Sequence, residues 1–258
     1  IALRRRGIAA ILYERSSVLG GMLNWAVLPP HKERIQEFKD YLIRELYLSG
    51  TEVILGHSFG EKECWSRMPG YIIMATGSEA IKPSIEGWDE QFCWLLPDIY
   101  QQGRHISDSR VLIIGGGSNG CELADYLLSY NNQIIIVEEK DTIAHNLERK
   151  NRRALLERLA KGQVVLRKKS RVVKIGSGQV LIQDSQGNAK KIGAETVLAA
   201  VGFAAGDGLL ESIPAQFRPY IHIIGDAAGS AGIKEAVLQG EMAADSIARQ
   251  IQCPIEKR

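Results

Sequence analysis

The sequence predicts an α/β fold, and three observations carry the prediction. Between Val111 and Glu138 an apolar strand, a glycine loop, a helix and a second strand follow one another. Ile8–Glu14 is another apolar run ending in an acid, and helical periodicity gives way to alternation after residue 160. A length of 258 residues accommodates two domains or one large α/β domain.

Ile1–Gly7 reads as the end of a helix, with Arg4, Arg5 and Arg6 near its C-terminus and Gly7 as the stop, so the chain is expected to begin inside a domain. Ile8–Glu14 is the first strand, and Arg15–Gly21 a loop bearing Ser and Gly. Arg34–Leu48 places Ile35, Phe38, Leu42, Ile43, Leu46 and Tyr47 at the i, i+3, i+4 spacing of an amphipathic helix that stops at Gly50. Glu52–Leu55 and Tyr71–Met74 are strand candidates, the second running into Ala75-Thr76-Gly77-Ser78, and a loop with Pro83 and Pro97 follows.

Val111–Ile114 is a strand, 115–120 the glycine loop, Cys121–Tyr130 a helix and Ile134–Val137 the next strand. Asn146–Ala160 is a second amphipathic helix carrying Leu147, Leu155, Leu156 and Leu159. Val164–Leu166, Val172–Ile175, Gln179–Asp184 and Thr196–Val201 then read as strands, with Gly-bearing turns at 176–178 and 187–193, so an antiparallel meander is expected here. Tyr220–Ile224 is a strand ending in Gly225-Asp226. Lys234–Gln250 is a terminal helix with Ala236, Val237, Ala243, Ala244 and Ile247 inward, and a frayed tail is expected after Cys253.

Composition bounds the chemistry. Hydrophobic residues at 45% and charged residues at 24% are ordinary globular usage. Thirty-two basic against thirty acidic residues leave a formal charge of +2, too little to draw nucleic acid or a membrane surface, so a small-molecule partner is expected. No apolar run reaches the roughly 18 residues of a membrane span. Cys64, Cys93, Cys121 and Cys253 form no CxxC or CxxxxC pair, which argues against a metal knuckle or a local redox disulfide and for a reducing, cytoplasmic setting. Cys121 reads as a small buried apolar residue. His31, His57, His105, His145 and His222 stand singly, without HxxxH or HExxH, so no metal site is expected. Trp25 and Trp88 suit either a cofactor wall or ordinary core packing.

Gly115, Gly117 and Gly120 make a GxGxxG that follows a strand, opens a helix and precedes Glu138 by 23 residues counted from Gly115. That context is the dinucleotide-binding fingerprint: one glycine for the tight turn, one for close approach of the backbone to a pyrophosphate, one for helix–strand packing, with the anion at the helix N-terminus. Glu138 is placed to accept ribose hydroxyls and to repel a 2′-phosphate, so NADH is expected over NADPH. Lys140, Arg149, Lys150, Arg152 and Arg153 could answer such a phosphate, but charges on a helical face are by default solvated. Glu122 suits either an acid near the nicotinamide or a first-turn acid favoured by the helix dipole. Glu14 ends its strand as Glu138 does, which points to a second nucleotide unit whose glycine loop is expected upstream of Ile1.

Four ordered motifs resemble the two-dinucleotide-binding-domain flavoproteins of the pyridine nucleotide-disulfide reductase fold. They are Glu14 with Leu19-Gly20-Gly21-Met22-Leu23-Asn24, Met74-Ala75-Thr76-Gly77-Ser78, the GxGxxG unit, and Ile224-Gly225-Asp226-Ala227-Ala228. Gly20-Gly21-Met22-Leu23-Asn24 through Pro29-Pro30-His31-Lys32-Glu33 is similar to the C-terminal region of 2,4-dienoyl-CoA reductase, enoate reductase and trimethylamine dehydrogenase proteins.

The resemblance implies two interleaved Rossmann-like dinucleotide-binding domains of the three-layer ββα type: an FAD-binding domain over 1–107 that resumes over 204–258, with the NAD(P)-binding domain, 108–203, inserted. It implies cofactor-binding roles for Glu14, Arg15, Gly21, Met22, Leu23, Ala75, Thr76, Gly77, Asp226 and Ala227, for Gly202, and for Gly115, Gly117, Ser118, Asn119, Gly120 and Glu138. The implied reaction is hydride transfer from NAD(P)H to FAD, then electron relay to an upstream TIM-barrel reductase domain with FMN and an iron-sulfur cluster. No catalytic acid or base is assigned, because the bond-making chemistry belongs to the cofactors. Two other readings stay open: a non-catalytic adenine-nucleotide-binding module, and a stand-alone NADH-dependent reductase of a small acceptor or quinone.

Overall fold

The computed structural model describes residues 1–101, 103–206, 208–229 and 232–252; the tail expected to fray after Cys253 lies outside them. The first elements are α1 (Ala2–Arg5), β1 (Ile11–Glu14), α2 (Leu23–Ala26), α3 (Glu33–Leu48), β2 (Glu52–Leu55), α4 (Glu61–Arg67), β3 (Ile72–Met74) and β4 (Ser78–Ala80). Then come β5 (Cys93–Leu95), α5 (Leu96–Gln101), β6 (Arg110–Ile114), α6 (Ser118–Leu128), β7 (Gln133–Val137), α7 (Arg149–Lys161) and β8 (Val165–Arg167). The chain continues through β9 (Ser170–Gly176), β10 (Gln179–Asp184), β11 (Ala189–Gly193), β12 (Thr196–Ala199), β13 (Phe203–Ala205), α8 (Gly208–Ser212), β14 (Ile221–Ile223) and α9 (Ile233–Gln252).

These elements gather into two compact units: one holds Ile1–Asn24, Glu33–Glu79 and the chain from Phe203 onward, the other Trp25–Lys32 and Ala80–Gly202. The second unit is built on a five-stranded parallel sheet in the order β5-β12-β6-β7-β8. Its central strand β6 is flanked on both sides, and Val111, Leu112, Ile113 and Ile114 are all buried, which explains the unbroken apolar run. Helix α6 buries Gly120, Cys121, Leu123, Ala124 and Leu127. Asp125 of α6 is buried too, and takes a two-pronged hydrogen bond from Arg158 of α7 at 2.7 and 2.9 Å.

Helix α7 starts three residues later than periodicity suggested. Glu148 caps it by accepting the Lys150 and Asn151 amides, while Ala144 is left-handed (φ 49°) and Asn146 turns away toward α6. The antiparallel meander is present as β11-β10-β9, but its membership differs from expectation. Segments 164–166 and 196–201 fall instead on β8 and β12 of the parallel sheet, and the third meander strand lies inside the expected turn at 187–193. Only Ile192 of Ala189-Lys190-Lys191-Ile192-Gly193 is buried, so β11 carries no apolar alternation to read. Trp88 packs with Ile85 and Phe92 against the core formed by Leu112, Val137, Ile175 and Val197.

In the first unit the parallel pairing is split between β1–β2 and β3–β14. β1 and β2 contain no buried residue, unlike β6 and β12. A separate core joins Cys64 of the unpredicted α4 to Ile72, Met74, Ile213 and Phe217. Helix α9 buries Ala243, Ala244 and Ile247, but Val237, expected inward, is 45% exposed along with Ile233 and Leu238 in its first turns. Arg6 ties the residues before β1 to this helix through Glu241 and Asp245. Among the described residues no helix is long and apolar enough to cross a membrane.

Candidate dinucleotide site

The loop between β6 and α6 is shaped by its glycines. Gly115 leaves the strand at φ 102°, a region closed to most L-residues, and a Cβ there would stand 2.5 Å from the Ala200 carbonyl oxygen. Gly120 packs still closer: its Cβ would lie 1.9 Å from the Gly115 oxygen. Gly117, the residue before α6, has ordinary extended geometry and faces open space, the nearest atom to a Cβ being Asn146 Oδ1 at 3.9 Å. Turn, close packing and open approach thus fall on the three fingerprint positions. The backbone can be approached where a phosphate would come, so the loop fits a dinucleotide.

The acid is held against this loop. Glu138 Oε2 accepts the Gly116 amide at 2.6 Å and Oε1 the Lys140 amide at 2.8 Å. Its backbone is fixed as well, the amide donating to the Arg167 carbonyl and the carbonyl accepting from Ser170. Lys140 Nζ lies 3.3 Å from His145 Nε2. Of the basic cluster read from sequence, Arg152 is half-buried and donates to the Ile143 carbonyl, whereas Arg153 is exposed and pairs with Glu157 on the helix surface.

At the helix N-terminus the Ser118 amide donates to Asn146 Oδ1 at 2.9 Å, and Asn146 Nδ2 donates to Ser118 Oγ at 2.7 Å. Asn119 is exposed beside them. Sequence reading missed Asn146, which it placed at a helix start. It also missed Lys32, whose ammonium pairs with Glu122, both side chains about one-fifth exposed. No local pattern signals either contact: the partners are 28 and 90 residues apart. Glu122 also faces Tyr100, whose hydroxyl is pushed well above its ordinary pKa, first by burial and then by that carboxylate. Tyr100 meets Tyr126 edge to face at 5.5 Å. Cys121 is fully buried, its thiol directed at the Gly116 carbonyl and its pKa raised to about 12 by desolvation.

In the first unit Glu14 repeats one contact of Glu138: Oε1 accepts the amide two residues on, Ser16, at 2.8 Å. Arg15 is exposed. Gly20 and Gly21 both have positive φ, Asn24 bridges the Leu19 carbonyl and Lys39, and the Ser78 hydroxyl donates to the Met22 sulfur. Leu23 opens α2. Ala75 and Thr76 are exposed at the end of β3, followed by Gly77 at φ 75°. Asp226 and Ala227 lie in a 3-10 turn that begins at Gly225, whose amide donates to Gln239. Gly202, in the second unit, accepts from Ile81 through its carbonyl. Among its described residues the first unit holds no GxGxxG loop, so its fit to a flavin nucleotide is partial. No group of three His, Cys, Asp or Glu side chains among the described residues is placed to hold a metal.

Comparison with known proteins bears on both units. The chain is 31% identical over 243 residues to the NADH oxidase of Thermoanaerobacter brockii, covering 93% of this chain and 37% of that protein. It is 28% identical over 202 residues to the bilirubin reductase of Mediterraneibacter gnavus, covering 76% of this chain and 30% of that protein. It therefore spans about a third of the length of these relatives. The fold is shared with a 2-naphthoyl-CoA reductase in complex with 2-naphthoyl-CoA (TM-score 0.87, 23% identity, 94% of this chain and 36% of that one). It is also shared with the histamine dehydrogenase of Rhizobium sp. 4-9 (TM-score 0.81, 21% identity, 99% and 42%). Residues 50–246 match the pyridine nucleotide-disulphide oxidoreductase family, and the chain belongs to that family of FAD- and NAD(P)-binding oxidoreductases.

Proposed function

We propose that this chain is the FAD- and NAD(P)H-binding part of a larger flavoprotein oxidoreductase, which passes electrons on to an upstream TIM-barrel reductase region bearing FMN and an iron-sulfur cluster. The observation that carries the nucleotide half is the Glu138 carboxylate held by the Gly116 and Lys140 amides beside an open Gly117. The larger assembly is supported by relatives about two and a half times as long as this chain. When bound, the two cofactors supply the hydride donor and its acceptor.

The protein's own part is binding and orientation. Gly115 and Gly120 hold the loop against the sheet, Gly117 exposes backbone to the pyrophosphate, and the amides of Ser118 and Asn119 face it with the positive end of the α6 dipole. Glu138 takes the ribose hydroxyls. With its carboxylate pinned by two amides it cannot swing from a 2′-phosphate, which favours NADH over NADPH. On the flavin side Glu14, Arg15, Gly21, Met22, Leu23, Ala75, Thr76, Gly77, Asp226 and Ala227 contact FAD, with Gly202 as a further cofactor residue. The buried free thiols of Cys64, Cys93 and Cys121 suit a reducing, cytoplasmic setting and no dithiol relay.

A second reading is a non-catalytic adenine-nucleotide-binding module. Two measurements separate them. Flavin absorbance is compared between this chain and a version extended upstream of Ile1; retention rising with the extension supports the proposal, and equal content refutes the dependence on an upstream glycine loop. NADH is then added: rapid bleaching of the flavin is expected, whereas NADH binding without bleaching favours the module. Turnover of a small acceptor or quinone without any upstream region would identify a stand-alone reductase.

A further inference from the structure

We infer that Asn146 is a displaceable cap, holding the nucleotide's phosphate position on α6 until the nucleotide arrives; this rests on the nicotinamide-site reading above. Asn146 Oδ1 occupies the Ser118 amide at 2.9 Å and is the atom nearest the open side of Gly117. Asn146 Nδ2 engages the Ser118 hydroxyl at 2.7 Å. One exposed side chain therefore covers two of the groups that the first turn of α6 offers to an anion, the Ser118 amide and hydroxyl, and a phosphate oxygen and this amide cannot share them.

The cap is built to leave. Asn146 is exposed, so its amide exchanges protein partners for water on swinging out. The loop beneath it does not depend on that side chain: the Ala144 amide donates to the Gly116 carbonyl at 2.7 Å, Arg152 donates to the Ile143 carbonyl at 2.7 Å, and Glu148 caps α7. A neutral amide acceptor gives way to a phosphate, whose charge-assisted bonds to N–H donors are roughly twice as strong. On displacement the Ser118 hydroxyl turns from acceptor for Asn146 to donor for phosphate.

The test is a titration of NADH, followed by nicotinamide fluorescence, into the wild-type chain, Asn146→Ala and Asn146→Asp, with thermal unfolding of each without nucleotide. Removing a capping side chain releases a competitor worth a factor of about three to ten, so Asn146→Ala tightens NADH binding by that much. Asn146→Asp keeps the cap and adds a charge that the helix N-terminus favours, so it melts no lower than wild type yet binds NADH at least tenfold more weakly. Opposite signs in melting and binding are the signature of displacement. Weaker or unchanged NADH binding by Asn146→Ala overturns the inference and makes the amide a nucleotide contact or a bystander. No NADH binding by any of the three overturns the nicotinamide reading, and the cap with it.

Discussion

The Gly116 amide donates to Glu138 Oε2 at 2.6 Å, joining the loop that leaves β6 to the acid that follows β7. The carboxylate proposed above to take the ribose is thus also the group that fixes the glycine loop. Glu138→Ala is expected to weaken NADH binding about tenfold or more, the loss of roughly 1.4 kcal/mol of contacts, while NADPH, relieved of repulsion, loses less. Parallel titrations check this; an unchanged NADH to NADPH ratio would show that the acid does not discriminate.

Gly117 and Gly120 are three residues apart and call for opposite outcomes. Gly117→Ala meets nothing within 3.9 Å and keeps an allowed backbone, so the fold should be retained while nucleotide affinity falls, the methyl standing where the pyrophosphate approaches. Gly120→Ala sets a Cβ 1.9 Å from the Gly115 carbonyl oxygen, and backbone must shift. Overpacking of this kind costs about 1–3 kcal/mol. Circular dichroism melts with NADH titration distinguish the pair, and a Gly117→Ala that melts far below wild type would contradict the open-face geometry.

Arg158→Ala leaves the buried Asp125 carboxylate without its two-pronged donor. Because Arg158 is about one-third exposed, water recovers part of the loss, and a destabilisation of about 2 kcal/mol is expected rather than the larger figure for a fully buried pair. Asp125→Asn with Arg158→Met, which removes both charges, should restore most of it. Chemical denaturation followed in the α6–α7 region decides, and equal losses in the single and double variants would mean the pair is not coupled.

Cys121 lies under the glycine loop with its thiol pKa raised from 9.0 to about 12. The folded chain therefore holds the proton more tightly than the unfolded chain. The stabilisation is complete below pH 9.0 and is lost as pH rises from there through about 12. Alkylation at neutral pH should spare Cys121 in the native protein and modify it after unfolding, as peptide mass mapping would report. Native modification at a rate typical of an exposed thiol would show that the helix opens more readily than its packing implies.

Much of this chain was written in local pattern. The run from Val111 to Ile114, the glycine spacing and the acid at Glu138 specify strand, turn, helix and strand, because period and φ requirements act over a few residues. The same holds for α3 and for β2, found at Glu52–Leu55 as expected. What tertiary structure decided is where partners far apart in sequence meet. Ala189–Gly193 is a strand because β10 pairs with it, although its lysines show no alternation. Val165–Arg167 and Thr196–Ala199 join the parallel sheet rather than the meander because β7 on one side and β5 and β6 on the other offer them ladders. Asn146 on Ser118, Lys32 on Glu122 and Arg158 on Asp125 are likewise contacts of folded elements, and no short-range propensity encodes them. Residue types determined which groups could bind a dinucleotide; long-range packing decided which of them are tied to one another around the glycine loop.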